Sequence, residues 1–197
     1  QAMRNLARCR LAQGRHKQAA EHAREVVDLA HEIDDKHYAN MAGLVLAESY
    51  LHVGTAADCE NYLRIIEESD ATSDFFVLGS IQNIRGLAAL TGGDKQLAVH
   101  HFNRSLTIFE AAEDLYHTAV ANFLIGSNLG AAQSSRALKH LSAAGEIFQK
   151  LGIASYTDEV KENSDQIKKA KPASAKPEEA VRANSVVSQL LTVRLAE

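Results

Sequence analysis

The sequence predicts an all-α fold: a solenoid of antiparallel helix hairpins closed by a C-terminal capping helix. Three observations predict it. A turn residue recurs, with Gly14, Gly54, Gly93 and Ala132 spaced 40, 39 and 39 residues apart. Five residues after each comes a small residue (Ala19, Cys59, Ala98 and Ala137), and seven before come Ala7, Ala47, Gly86 and Ile125. The composition is helical: no Trp, 11 Gly placed mostly near helix ends, and two Pro confined to one late segment. One helical hairpin cannot bury its apolar face alone, so a fixed period of helix, turn and helix implies stacked neighbours. A match of Gly and Ala in an alanine-rich chain is cheap; the conjunction of turn, small residue and period, held four times, is not.

The elements follow from this frame. The first hairpin covers about residues 1–36. Its first helix, 1–13, puts Leu6, Cys9 (or Arg10) and Gln13 a turn apart, and Gly14 stops it. Its second, about 17–33, carries Ala19, Ala23, Val26, Val27, Ala30 and Ile33 as an apolar stripe at helical spacing. The second hairpin, about 37–73, opens with the periodic face of Tyr38, Met41, Ala42, Val45 and Leu46. Gly54 turns the chain, Thr55 caps the next helix, and Cys59, Leu63 and Ile66 face the core. Ser69 to Ser73 reads as a loop, with Ser73 or Asp74 as the next cap.

The third hairpin, about 74–113, carries Val77, Ile81 and Ile84, then the Thr91–Asp94 turn with Asp94 as cap, then Phe102, Leu106 and Phe109. The fourth, about 114–152, carries Tyr116, Val120 and Leu124, then Ala137, Leu141, Ala144 and Phe148, and stops at Gly152. A charged helix over about 153–170 covers the end of the array, as a terminal repeat requires. Residues 171–180 hold both prolines among small and charged residues and read as a linker. Residues 181–197 carry Val181, Val186, Leu190, Leu191 and Leu195 and read as an amphipathic helix too short to stand alone. It docks on the array, pairs with a second copy, or leads into a further domain.

The repeat pattern over residues 1–152 resembles the tetratricopeptide repeat. Ala7, Ala47, Gly86 and Ile125 match its first small site, Gly14, Gly54, Gly93 and Ala132 its turn, and Ala19, Cys59, Ala98 and Ala137 its second small site. The family's aromatic at the next level is Phe102 in the third repeat but Ala23, Leu63 and Leu141 elsewhere. Two departures stand out. The family's period is about 34, so 39–40 implies longer helices. Ile125 is not small, and Gly126 beside it shifts the close contact by one position. The long period, together with the Ala137–Gly152 segment, resembles the repeat regions of large bacterial signalling and transcription regulators.

The resemblance implies a right-handed superhelix with the first helix of each hairpin on its concave face, and a protein or peptide partner in that groove. Carried over by repeat position, the inward side chains are Arg4, Arg8, Leu44, Glu48, Asn83, Leu87 and Asn122, with His52 beside them. Asn83 and Asn122 fall at one repeat position; either they offer amides to a ligand backbone or they bond each other or an adjacent helix. Arg4 and Arg8 form one basic pair, without the dense cluster that clamps an acidic chain terminus. The implied role is a non-catalytic interaction scaffold, a regulatory fragment of a larger cytoplasmic bacterial protein. The alternative is a spacer or self-association module that positions an output domain.

Other classes find little in the residues. A net charge of −4 from 21 basic and 25 acidic residues gives no reason to expect nucleic acid. No apolar stretch approaches bilayer length. The start, Gln1, falls inside a helix pattern, so the chain reads as a piece of a longer protein. Two cysteines make no disulfide framework, and their helical settings predict buried thiols in a reducing compartment. There is no HExxH, nucleophile elbow, phosphate loop or dinucleotide fingerprint, so neither an enzyme nor a cofactor is expected. His22, His101 and His140 share a repeat position on separate hairpins, which predicts no common metal centre.

Overall fold

The computed structural model describes residues 2–69, 74–130 and 133–169. Among these residues there are nine α-helices and no strand: α1 (Ala2–Ala12), α2 (His16–Glu32), α3 (Lys36–Val53), α4 (Ala56–Glu68), α5 (Phe75–Thr91), α6 (Lys95–Ala111), α7 (Leu115–Asn128), α8 (Ser134–Lys150) and α9 (Ala154–Lys169). Each packs mainly on its neighbours in sequence. The Ala132 turn, Ser73, the linker 171–180 and the segment 181–197 lie outside the described residues.

The chain stops its helices by one repeated device. After α1, α2, α5, α6 and α8 a residue takes a positive φ: Gly14, Asp34, Gly93, Glu113 and Gly152. The next residue's N–H then reaches back to a carbonyl five residues earlier, as in Asp94 N–H to Ala89 and Asp114 N–H to Phe109. These are Schellman turns, which satisfy carbonyls the helix leaves open. Gly93 needs no Cβ there, whereas Asp34 and Glu113 hold φ 54° and 55° with side chains present. Gly54 differs, ending α3 at φ −124°.

Helix starts are as regular. Asp35, Asp74 and Asp114 cap α3, α5 and α7, accepting from the N–H of Tyr38, of Phe76 and Val77, and of His117. Asp94 caps α6, accepting from Leu97 N–H. Thr55 and Asp58 form a capping box on α4.

The small sites sit where paired helices touch. Ala7, Ala19, Ala47, Cys59, Ala98 and Ala137 are fully buried. At Gly86 a Cβ would lie 2.2 Å from the Phe102 ring, so the missing side chain is where the phenyl ring rests. In the fourth pair that contact is made by Gly126, where a Cβ would lie 2.7 Å from Leu141 Cγ and 3.0 Å from the Ala137 carbonyl. Ile125 is fully buried beside it. Gly86 to Gly126 is 40 residues, as is Asp74 to Asp114, while Ala98 to Ala137 is 39. The first helix of the fourth pair is therefore one residue out of step with its partner.

Several sequence expectations change. The buried face of α1 is Arg4, Ala7, Arg8 and Leu11, while Leu6, Cys9 and Gln13 are exposed. Cys9 is thus not a buried thiol, although Cys59 is. Ile33 lies just beyond α2 in the turn and is 73% exposed, so it is not part of that helix's stripe. The largest change is in α3, α5 and α7. Residues Ala39–Ser49 of α3 are buried without a break, as are Tyr116–Gly126 of α7. A helix apolar on most of its circumference is packed on most of it. Phe102, Phe109, Tyr116, Phe123 and Phe148 are the bulky centre of the packing.

Candidate interaction surface

The eight side chains carried over as groove residues divide sharply. Arg4, Arg8, Leu44, Glu48, Asn83, Leu87 and Asn122 are all buried. His52 is exposed, but its ring stacks on His16 with centroids 3.8 Å apart. Desolvation of the stacked ring, and secondarily the His16 charge, lowers the His52 pKa to about 4.

Arg8 and Leu44, with Glu48, line a cavity between α1, α3 and α5 of only about 30 Å³, whose other walls include Ser80 and Ile84. Burial lowers the Arg8 pKa to about 10, Glu48 opposes that shift, and Arg4 adds to it. Arg4 lies with its guanidinium 5.4 Å from the Tyr38 ring centroid, a cation–π contact. Around this cavity the face expected to be a groove is packed.

The two asparagines play different parts. Asn122 donates to the Thr118 carbonyl and pairs through its Oδ1 with His140 Nδ1 at 2.8 Å. Its counterpart is Gln82, whose Oε1 meets His101 Nδ1 at 2.9 Å. Gln82 and Asn122 are 40 residues apart, so the one-residue offset of α7 breaks the equivalence that the 39-residue count gives Asn83 and Asn122. Asn83 is fully buried, and neither its Oδ1 nor its Nδ2 has a hydrogen-bond partner. Ser80 Oγ, one turn earlier, is also buried and unpartnered.

Other polar clusters tie helices together. Arg85 of α5 grips two acids of α4, with Nη2 2.6 Å from Glu60 and Nη1 2.6 Å from Glu67, and further bonds to both. Those bonds raise its pKa. His117 of α7 bonds Asp114 at 2.7 Å and stacks on Phe109, with Phe76 and Tyr116 edge-on. That arrangement locks the ring inside the aromatic packing. Among the described residues, no three or more His, Cys, Asp or Glu side chains group as metal ligands. Nor is any helix among them long and apolar enough to cross a membrane.

Of nine large apolar side chains exposed among the described residues, Ile33, Phe75 and Leu115 are the three most exposed. Ile33 follows α2, Phe75 opens α5 and Leu115 opens α7, and the latter two are 54% and 52% exposed. Phe75 and Leu115 are 40 residues apart, each directly after its capping aspartate. The signal was the Asp-apolar pair itself. No protein-family model matches this sequence, and no curated protein matches it.

Proposed function

We propose that this chain is a non-catalytic protein-interaction scaffold, a right-handed solenoid of tetratricopeptide-like hairpins within a larger cytoplasmic bacterial signalling or transcription-regulatory protein. Its contact surface is the edge where one hairpin passes to the next. The observation that carries this reading is the exposed set Ile33, Phe75 and Leu115. In consecutive antiparallel helices the odd-numbered ones start at one edge, so these side chains recur along it. Scattered exposed apolar residues are ordinary, but Phe75 and Leu115 repeat at one position and Ile33 ends α2 at the same edge, which suits an apolar partner surface. The burial of Arg8, Leu44 and Glu48 supports placing contacts there instead of on those side chains.

The test is co-purification of partners from the native cell. With Ile33→Asp, Phe75→Asp and Leu115→Asp combined, the helical spectrum is retained and the partner is lost. Asn83→Ala with Asn122→Ala keeps it. Retention in both variants sinks the scaffold reading at this edge.

A second reading has one observation in its favour. The unpartnered amide of Asn83 offers the donor and acceptor that a peptide backbone needs. A peptide partner would then occupy the concave face after the inner layer parts, and the asparagine pair, not the edge triple, would abolish capture. A spacer that self-associates is the outcome if light scattering of the full chain gives a dimer that the edge triple dissociates.

A further inference from the structure

We propose that the edge taken above as the contact surface receives one amphipathic α-helix of a protein partner, apolar at about every seventh residue and bordered by lysines or arginines. This choice of partner rests on that reading of the edge. Four exposed apolar side chains stand there: Ile33, Phe75, Leu115 and Leu151. Phe75 and Leu115 open α5 and α7, while Ile33 and Leu151 follow the ends of α2 and α8. Contacts between helix starts make the row continuous. His37 of α3 lies 3.7 Å from Asp74, the cap of α5. The Phe76 ring of α5 meets His117 of α7 with centroids 5.0 Å apart.

Spacing selects a helix. Helices packed side by side lie about 8–10 Å apart, so the row repeats at about that distance. An α-helix advances about 10 Å in seven residues, so apolar side chains at that interval meet successive members of the row. The row runs from the start of α3 to those of α5, α7 and α9, which is about 30 Å, or about 20 residues of helix. An extended peptide gains its main-chain bonds on a strand edge, and the described residues contain no strand.

Charge selects the border. Glu32, Asp34, Glu110 and Glu113 flank the row, exposed and in no ion pair among the described residues, against Lys36 and Lys150. The opposite edge carries Arg15, Lys17, Lys95 and Arg136 with Asp58 and Asp94, so the acidity belongs to this edge. It repels a nucleic acid or an anionic lipid surface. A second copy docked by the same edge about a two-fold axis would set acid against acid.

The whole chain is titrated calorimetrically, at low and high salt, with two synthetic helices of about 20 residues. Both carry leucine at every seventh position; one is bordered by lysines, the other by glutamates. The lysine helix should bind at least about tenfold more tightly, and less so at high salt. Glu32→Gln, Asp34→Asn, Glu110→Gln and Glu113→Gln combined, with the helical spectrum retained, should weaken it about tenfold. Ile33→Asp, Phe75→Asp and Leu115→Asp combined should weaken it too, although they add negative charge. A tighter complex with that triple would reveal unspecific attraction and overturn the proposal. Equal binding of both helices, each abolished by the triple, overturns the basic partner and leaves the edge reading standing. Binding of neither helix also overturns the proposal, whereas the edge reading falls only on the co-purification result. A dimer in light scattering that the triple dissociates puts a second copy on the edge and overturns the proposal.

Discussion

Replacing Gly86 with alanine tests the close crossing of α5 and α6 directly. A Cβ there would stand 2.2, 2.5 and 2.8 Å from three atoms of the Phe102 ring. Carbon atoms in contact prefer roughly 3.5–4.0 Å, so the ring must retreat by more than about 1 Å. Phe102 is fully buried and has no solvent side to retreat to. Overpacking of this kind costs about 1–3 kcal/mol, and three sub-3 Å contacts place it near the upper end. Against it stands the helix-propensity gain of Ala over Gly, about 1 kcal/mol. The expected net is a loss of about 1–2 kcal/mol, read by urea unfolding followed by circular dichroism. Combining it with Phe102→Leu reproduces the Ala47 and Leu63 pairing of the second hairpin, and the double-mutant cycle should show coupling of about 1 kcal/mol. If Gly86→Ala stabilises the chain, the crossing is not this close and the small-site argument fails.

The other predictions use the same unfolding assay. Glu113→Gly relieves a side chain held at φ 55° and should stabilise by about 0.5–1 kcal/mol, the αL penalty less the entropy glycine adds to the unfolded chain; unchanged stability contradicts the turn assignment. Asp114→Ala removes the α7 cap and should cost about 1 kcal/mol or more. Arg85→Gln should cost about 1–2 kcal/mol and lessen the salt dependence of stability, because it cuts a charge-assisted link from α5 to α4 whose acids are partly solvated. Burial lowers the pKa of His16, His101 and His140, and lowers that of His52 to about 4. Their unfolded forms therefore bind protons first, so stability is full above about pH 7 and falls as pH drops through 6.5 toward 4. Burial raises the pKa of Glu159, with the opposite sign: its contribution is present at low pH and lost as pH rises through its raised value. A His52→Gln variant should flatten the histidine-driven fall in Tm, and an unchanged slope would remove His52 from the explanation.

The all-α class was legible because turn and small residue recur together, and because the stripes in α2, α4, α6 and α8 follow helical spacing. What the sequence concealed has physical causes. In α3 and α7 eleven consecutive positions are buried, and most of α5 is buried too, so no single apolar face marks which side meets which neighbour. In α1 the buried face includes Arg4 and Arg8, and a pattern that reads arginine as surface turns the helix to the wrong side. The one-residue offset of α7 shows in the 40-residue spacing of Asp74 and Asp114, whereas the turn residues, 39 apart, align Asn83 with Asn122. In the second turn series Gly152 reads as a helix stop, whereas nothing in the residue type marks Glu113 as left-handed backbone.

The central claim is that the face expected to be an open groove is closed in the isolated chain. The chain carries its own references, an exposed Cys9 and a buried Cys59 whose thiol burial pushes up to about 12. The direct measurement is the rate at which a thiol reagent labels Asn83→Cys in a Cys9→Ser background, compared with Cys9 of the native chain under the same conditions. A closed layer predicts labelling as slow as that of Cys59, accelerating only when urea unfolds the helices. Labelling as fast as that of Cys9 would show an open groove and contradict the account.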